Sequence, residues 1–265
     1  MVRWQALSRV ACLALIAASM HGPACAQVSG DDVKSANNPL QPIFGFNLHD
    51  QYVGAYDGLD DKDSNAFMLR AILPHKAFGR PQIMRATMPV VTSPDVAPNG
   101  RKTGAGDLNL FDIFLFKAGG IEIGVGPQLT APTASDDALG TGKWQAGLAG
   151  AVIAPQSWGL LGALVTWQTS FAGDSDRRRQ NNATAQPFLI YNLSKGWFVR
   201  STATWSFDLE TNSRYIPVGL GAGRVWKSGG ITYNLFVEPQ WTVISHGSAV
   251  PQFQVFAGLN LQFPL

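Results

Sequence analysis

A chain of 265 residues with only 14% charged residues is too poor in charge for an ordinary soluble protein, where about a quarter is usual. Both cysteines, Cys12 and Cys25, and two arginines, Arg3 and Arg9, fall within the first 26 residues, and 18 basic residues then face 18 acidic ones. The remainder therefore has no disulfide framework, no thiolate chemistry and no excess charge to hold a nucleic acid.

The first 26 residues read as a signal peptide. Arg3 and Arg9 give a positive start, and Val10 to Ser19 is an apolar run too short to span a bilayer. Ala24 and Ala26 supply the small residues before an expected cleavage site after Ala26. Acylation of Cys25 is disfavoured, because Gly22 and Pro23 occupy the place of the aliphatic residue that a lipoprotein signal needs. Residues 27–41 form a polar stretch without periodicity, read as a periplasmic N-terminal segment ahead of a barrel spanning 42–265.

From Pro42 onward the sequence keeps one rhythm: about ten residues of alternation, then a turn. Strands are expected near 43–52, 66–73, 82–91, 107–116, 121–130, 144–153, 160–170, 184–193, 197–207, 215–225, 231–243 and 253–263. Near 121–129, Ile121, Ile123, Val125 and Leu129 oppose Glu122, Gly124, Gly126 and Gln128. In 231–243, Tyr233, Leu235, Val237 and Trp241 oppose Asn234, Glu238 and Gln240. In the last strand Phe253, Val255, Ala257, Leu259, Leu261 and Phe263 oppose Gln254, Phe256, Gly258, Asn260 and Gln262. Period two with one apolar face fits lipid outside and a lumen inside. No run approaches the ~20 apolar residues of a transmembrane helix.

The connections separate a membrane barrel from a soluble sandwich. Short ones at 117–120, 154–158, 194–196 and 227–230 alternate with longer polar ones at 54–65, 92–104, 131–143 and 172–183. Tight periplasmic turns and longer outer loops around an even strand count are how outer-membrane barrels are built. The turn 74–81 is long for that rule. Tryptophans add a second argument. Trp158, Trp197 and Trp226 fall at the short-turn ends of strands, and Trp144, Trp167, Trp205 and Trp241 at the long-loop ends, as two headgroup-level aromatic girdles would require. One strand disobeys: Asp112 shares a face with Leu110, Phe114 and Phe116, so either a bulge shifts its register or it sits near a strand end.

Several runs are also similar to one family: 70–74 (RAILP), 85–92 (RATMPVVT), 106–116 (GDLNLFDIFLF), 120–147, 170–193, 196–210, 216–227 and 256–265 (FAGLNLQFPL). It is a family of bacterial outer-membrane barrels, often labelled transporter-like or neuromedin U. It is related to barrels linked to the degradation of aromatic compounds such as phenol or toluene. The resemblance implies the fold, an outer-membrane location and a transport role, and it carries over no functional residue.

Motifs for chemistry are scarce. His49, His75 and His246 are expected in or beside turns, and His246 with Ser248 has no geometry that would mark a hydrolase. Gly219, Gly221 and Gly223 alternate along a strand, as small inward residues rather than a phosphate loop. The run Asp57, Asp60, Asp61 and Asp63 lacks calcium-loop spacing, and Arg177, Arg178 and Arg179 read as a solvated outer loop. No catalytic residue, metal site or cofactor is expected. Candidates for lining the lumen are the inward-phase polar residues Arg70, Arg85, Glu122, Gln128, Arg200, Glu238 and Gln240. They would either line a water path or brace the lumen shut.

The expected protein is an all-β transmembrane barrel of about twelve antiparallel strands in the bacterial outer membrane. It would pass small molecules passively, hydrophobic or aromatic ones among them. A closed structural or surface-interaction barrel is the alternative, and an outer-membrane hydrolase a distant third. Its partners would be outer-membrane lipid, lipopolysaccharide and, through the strand ending at Phe263, the barrel-assembly machinery.

Overall fold

The computed structural model describes residues 28–98 and 100–264, so the expected leader and its cleavage site lie outside the described residues. Twelve antiparallel strands follow one another around a closed sheet: β1 (Phe44–Tyr56), β2 (Ser64–Ala77), β3 (Arg80–Thr92), β4 (Leu108–Ala118), β5 (Ile121–Ala131) and β6 (Lys143–Gln156). Then come β7 (Gly159–Gly173), β8 (Asn181–Asn192), β9 (Trp197–Ser201 and Trp205–Asp208), β10 (Ser213–Gly219 and Gly221–Ser228), β11 (Ile231–His246) and β12 (Pro251–Phe263). Closure is explicit, because β1 pairs with β2 on one side and with β12 on the other. A three-residue strand, Thr103–Ala105, pairs with β3 outside this ring.

The expected order and faces hold, with corrections at the edges. The long turn at 74–81 is in fact a two-residue hairpin, Phe78 and Gly79, with both residues at positive φ (50° and 72°). Strands β2 and β3 continue straight to it, Pro74 included. This left-handed pair matches strand twist and lets two strands meet with minimal loop. Gly119–Gly120 and Gly229–Gly230 repeat the device. Because the strands are longer than the alternation suggested, His75 lies in β2 and His49 lies mid-strand in β1, not beside turns.

Outward positions carry apolar side chains that a water-soluble sheet would have to cover. Leu69, Leu73, Val125, Leu148, Val152, Val165 and Leu189 are exposed around the barrel. So are Trp144, Trp167, Trp197 and Trp241, while Trp158 and Trp226 stack on Tyr191 and Tyr233. Such a continuous apolar belt is stable only against lipid.

Asp112 is on this outward face, and neither expected explanation accounts for it. Its register does not shift, Met84↔Asp112 following Arg85↔Phe111 although the ladder to β5 skips Asp112 and Ile113, and it lies four positions from the start of β4 and six from its end. The carboxylate is instead met by a partner: His75 Nε2 lies 2.9 Å from Asp112 Oδ1 on the same outer surface. Pairing in place reduces the cost of a carboxylate against lipid, about 2–4 kcal/mol at most for a charge near midplane.

The inward face is not uniformly polar. Toward the short turns, Ile113, Ala151, Ile153, Leu160, Ile190, Phe198 and Val225 point into the lumen and form a continuous buried core. What they pack on is the N-terminal segment. Residues expected to lack periodicity form a helix, α1 (Gly30–Asn37), whose Val33 and Ala36, with Leu40 beyond it, are buried in that core. The sequence signal for it was present: Ser29 and Asp32 make a reciprocal capping box, which satisfies backbone donors that a short helix would otherwise leave open.

Candidate functional site

The long-loop half of the lumen holds a cavity of about 380 Å3, lined almost wholly by polar side chains. One wall is a hydrogen-bonded chain of amides and hydroxyls. Asn109 Nδ2 donates to Thr130 Oγ1 (2.9 Å), and Thr130 Oγ1 and Gln128 Nε2 both donate to Gln168 Oε1 (3.0 and 3.2 Å). Gln168 Nε2 donates to Gln145 Oε1 (2.9 Å), and Gln145 Nε2 to Thr141 Oγ1 (3.1 Å). Thr141 Oγ1 in turn donates to Asp107 Oδ2 (2.8 Å), whose carboxylate also accepts from the Thr141 N–H (2.7 Å) and so anchors the 131–143 loop.

Two arginines form the other wall. Strand pairing sets Ile72 opposite Arg85, which makes Arg70 and Arg85 diagonal neighbours on one inward face. Arg70 Nη1 lies 2.7 Å from His49 Nδ1, and His49 Nε2 lies 2.7 Å from Asn260 Oδ1. An arginine can only donate and that amide oxygen can only accept, so these partners specify a neutral imidazole protonated at Nε2. Arg85 stacks on Phe111, 4.0 Å from guanidinium carbon to ring centre.

Below the cavity an ion pair braces the wall. Arg200 Nε donates to Glu238 Oε2 (2.8 Å), and Glu238 also accepts from the Thr202 N–H (2.8 Å), Thr202 Oγ1 (2.7 Å) and Gln240 Nε2 (3.3 Å). Arg200 lies over the Phe236 ring at 3.6 Å, and Phe236, Phe256 and His49 pack edge-on and tilted around it. Glu238 is 0% exposed. It brings no charge to a water path.

This carboxylate also bridges a seam in the wall. Strands β9 and β10 pair from Trp197↔Arg224 to Arg200↔Gly221 and again from Ser206↔Tyr215 to Asp208↔Ser213. The stretch between, residues 201–205 against 216–220, carries no ladder pairs, and Glu238 satisfies the Thr202 N–H there. The alternating glycines explain themselves at this point. A Cβ on Gly219 would run into Glu238 Oε1, one on Gly221 into the Val237 carbonyl and Glu238 Cβ, and one on Gly223 into the Phe198 ring. They are small because a side chain or the backbone of β11 passes close over each.

Helix α1 closes the short-turn end through polar ties as well as its apolar face. Asn38 Nδ2 donates to Glu122 Oε2 (2.7 Å), Asn234 Nδ2 to the Ala36 carbonyl (2.9 Å), Asn192 Nδ2 to the Gly30 carbonyl (3.0 Å) and Lys227 Nζ to Asp32 Oδ1 (2.6 Å). Burial alone would raise the Asp32 carboxyl, but the hydrogen bonds from Lys227 and Ser29 outweigh it and hold it below its ordinary 3.8. A depressed value in the docked state contributes stability that is complete above the free-chain value and lost as pH falls through the docked one. Acidification below about pH 4 should therefore loosen the helix. Openings in planar bilayers should be more frequent at about pH 3 than at neutrality, and an Asp32→Asn variant should open as often at both. Equal opening of the parent at both would contradict this.

The seven lumen candidates thus separate by place. Arg70, Arg85 and Gln128 line the cavity. Arg200, Glu238 and Gln240 form the brace, and Glu122 holds the plug. Sequence reasoning missed His49, Thr202, Asp107 and the Gln145–Gln168 pair. The loop arginines tie loops together: Arg177 donates to the Asp137 carbonyl (2.7 Å), Arg178 to Asp208 (2.7 Å), and Arg179 lies 3.9 Å from Glu210. Asp63 is engaged by Arg101 at 2.7 and 3.2 Å.

No protein-family model matches the chain, and no curated protein matches it in sequence. Solved structures do match. The COG4313 outer membrane channel from Pseudomonas putida superposes with a TM-score of 0.64 over 85% of this chain and 99% of its own, at 14% identity. The beta domain of the Bordetella autotransporter BrkA gives 0.41 at 14% identity over 83% of this chain and all of its own. Outer membrane phospholipase A from Escherichia coli gives 0.42 at 11% identity over 89% of this chain and 98% of its own. The fold is that of a closed twelve-stranded outer-membrane β-barrel.

Proposed function

We propose that the protein is a gated passive channel of the outer membrane, in which small solutes enter the polar cavity from the loop side and pass when helix α1 leaves the turn side. The observation that carries this reading is the division of the lumen. A cavity lined by polar groups would be pointless in a barrel built only to be closed, and a separate, short, polar-tethered helix is a removable closure rather than part of the wall. No catalytic step is assigned: the reading needs none. Flux of small solutes into liposomes, measured with and without the plug segment, tests it. Flux that stays absent after plug removal would favour the closed structural barrel.

One observation favours a second exit for solutes with an apolar body. Thr204 lines the cavity and lies within the unpaired seam between β9 and β10, so the cavity reaches the place where the wall has no ladder hydrogen bonds. A solute leaving there would enter lipid sideways, without any movement of α1. Such cargo would include the hydrophobic and aromatic molecules that the family resemblance suggests.

A further inference from the structure

We propose that Arg70 and Arg85 form a binding site for the carboxylate of a small organic acid, which rests on the channel reading and names the class of solute the cavity selects. The third lumen arginine shows what a satisfied one looks like here. Arg200 has a carboxylate at 2.8 Å, a hydroxyl partner and an aromatic face. Among the described residues, Arg70 and Arg85 have no ion-pair partner within 4.0 Å, and the Nε of each is a buried donor with nothing to receive it. Yet both guanidinium groups are held in place, Arg70 by His49 and by Met68 Sδ at 3.1 Å, Arg85 by the Phe111 ring.

Two like charges side by side in a low-dielectric wall repel each other and have lost part of their hydration. A molecule that keeps such a pair oriented toward a cavity, with no carboxylate in contact with either, is arranged for a counter-charge that arrives. Guanidinium presents a planar fork of N–H donors that matches a carboxylate with two parallel bonds.

The remaining lining narrows the class. Asp107 is the one acidic group lining the cavity, so two cations and one anion leave a single net positive charge, which a monoanion neutralises and a dianion overshoots. The volume of about 380 Å3 lies at the small end of ligand pockets, roughly 300–1,000 Å3. Leu164 offers one apolar surface, and the hydroxyls of Thr166 and Thr184 can meet a polar substituent. A compact monocarboxylate fits these terms.

The experiment uses the full chain in detergent, with sodium benzoate as probe, benzamide as its uncharged isostere, and chloride and inorganic phosphate as ions without an organic body. Binding is followed by titration calorimetry. Benzoate should bind and benzamide should bind at least roughly tenfold more weakly, since hydrogen bonds to a charged group contribute that much or more. The Arg70→Gln/Arg85→Gln variant should lose about the same factor. Should that variant fail to fold, Arg85→Lys keeps the charge but not the fork, and its benzoate affinity should still fall several-fold. Equal binding of benzoate and benzamide, or unchanged affinity in the arginine variants, would overturn the proposal. Chloride or phosphate binding as tightly as benzoate would overturn it too, leaving a site for inorganic counter-ions. Binding is read with the plug in place. Binding without flux would therefore defeat the channel reading and keep the site, whereas flux without binding would do the reverse.

Discussion

Deleting Gly30–Leu40 is expected to turn a barrel that conducts little into one with a steady open conductance. An α-helix with its side chains is about 10–12 Å across, and α1 occupies the lumen between the apolar inward residues of the turn half. Removing it should leave a bore of that order. Val33 and Leu40 are 1% and 2% exposed, and burial of such side chains is worth about 1.5–3 kcal/mol each. The deletion therefore exposes Ile153, Phe198 and Val225 to water, but the wall is held by its own ladders around the ring. The variant should keep its resistance to SDS before heating while conducting. Its selectivity should favour anions, because Glu238 is locked to Arg200 whereas Arg70 and Arg85 face the path unpaired. An unchanged conductance would remove α1 from the gating account.

Replacing Glu238 with alanine should destabilise the barrel by about 3–5 kcal/mol, the usual effect of removing one partner from a buried ion pair. Arg200, 6% exposed, would be left without its counter-charge, and the Thr202 N–H without its acceptor. The loss is read as a lower temperature at which preheated samples lose the folded gel band, and as a lower urea midpoint. Because the same carboxylate spans the seam between β9 and β10, the variant should also leak small solutes. Replacing both partners, Arg200→Met with Glu238→Leu, removes the buried charges together and should recover most of the stability. A Glu238→Ala barrel as stable as the parent would mean that the brace contributes nothing and that the seam is held by packing alone.

The wall was legible in the sequence because a barrel writes its two faces at period two. The inward phase of Glu122, Gln128, Asn234 and Glu238 follows from counting along each strand, and so does the outward phase of the tryptophans. What fills the lumen was not legible, for a physical reason. Inward residues meet one another across the bore, between strands distant in sequence, and alternation carries no signal of which partner is met. Glu238 and Glu122 have the same phase and similar neighbours, yet one is locked to Arg200 and the other bonds Asn38 of the N-terminal segment. Likewise the inward apolar residues Phe198, Ile153 and Val225 have their packing partner only in α1, which no strand alternation signals. That helix is eight residues long, too short for hydrophobic periodicity to show, and only its capping box marks it. Asp112 could be placed on the lipid face by counting, but its partner His75 is separated from it by strand β3 and 37 positions of sequence.

The most direct test of the gate uses the absence of cysteine after residue 26. Asn37 and Asn234 side chains meet at 3.1 Å, one on the helix and one on the wall, so Asn37→Cys with Asn234→Cys can be joined by a short reducible bifunctional thiol reagent. Single-channel recording in planar bilayers would then follow the same molecules tethered and reduced. The account predicts silence while the helix is tethered and openings after reduction. Equal conductance in both states would show that α1 does not control passage, and solute movement that persists under the tether would assign transport to the seam between β9 and β10.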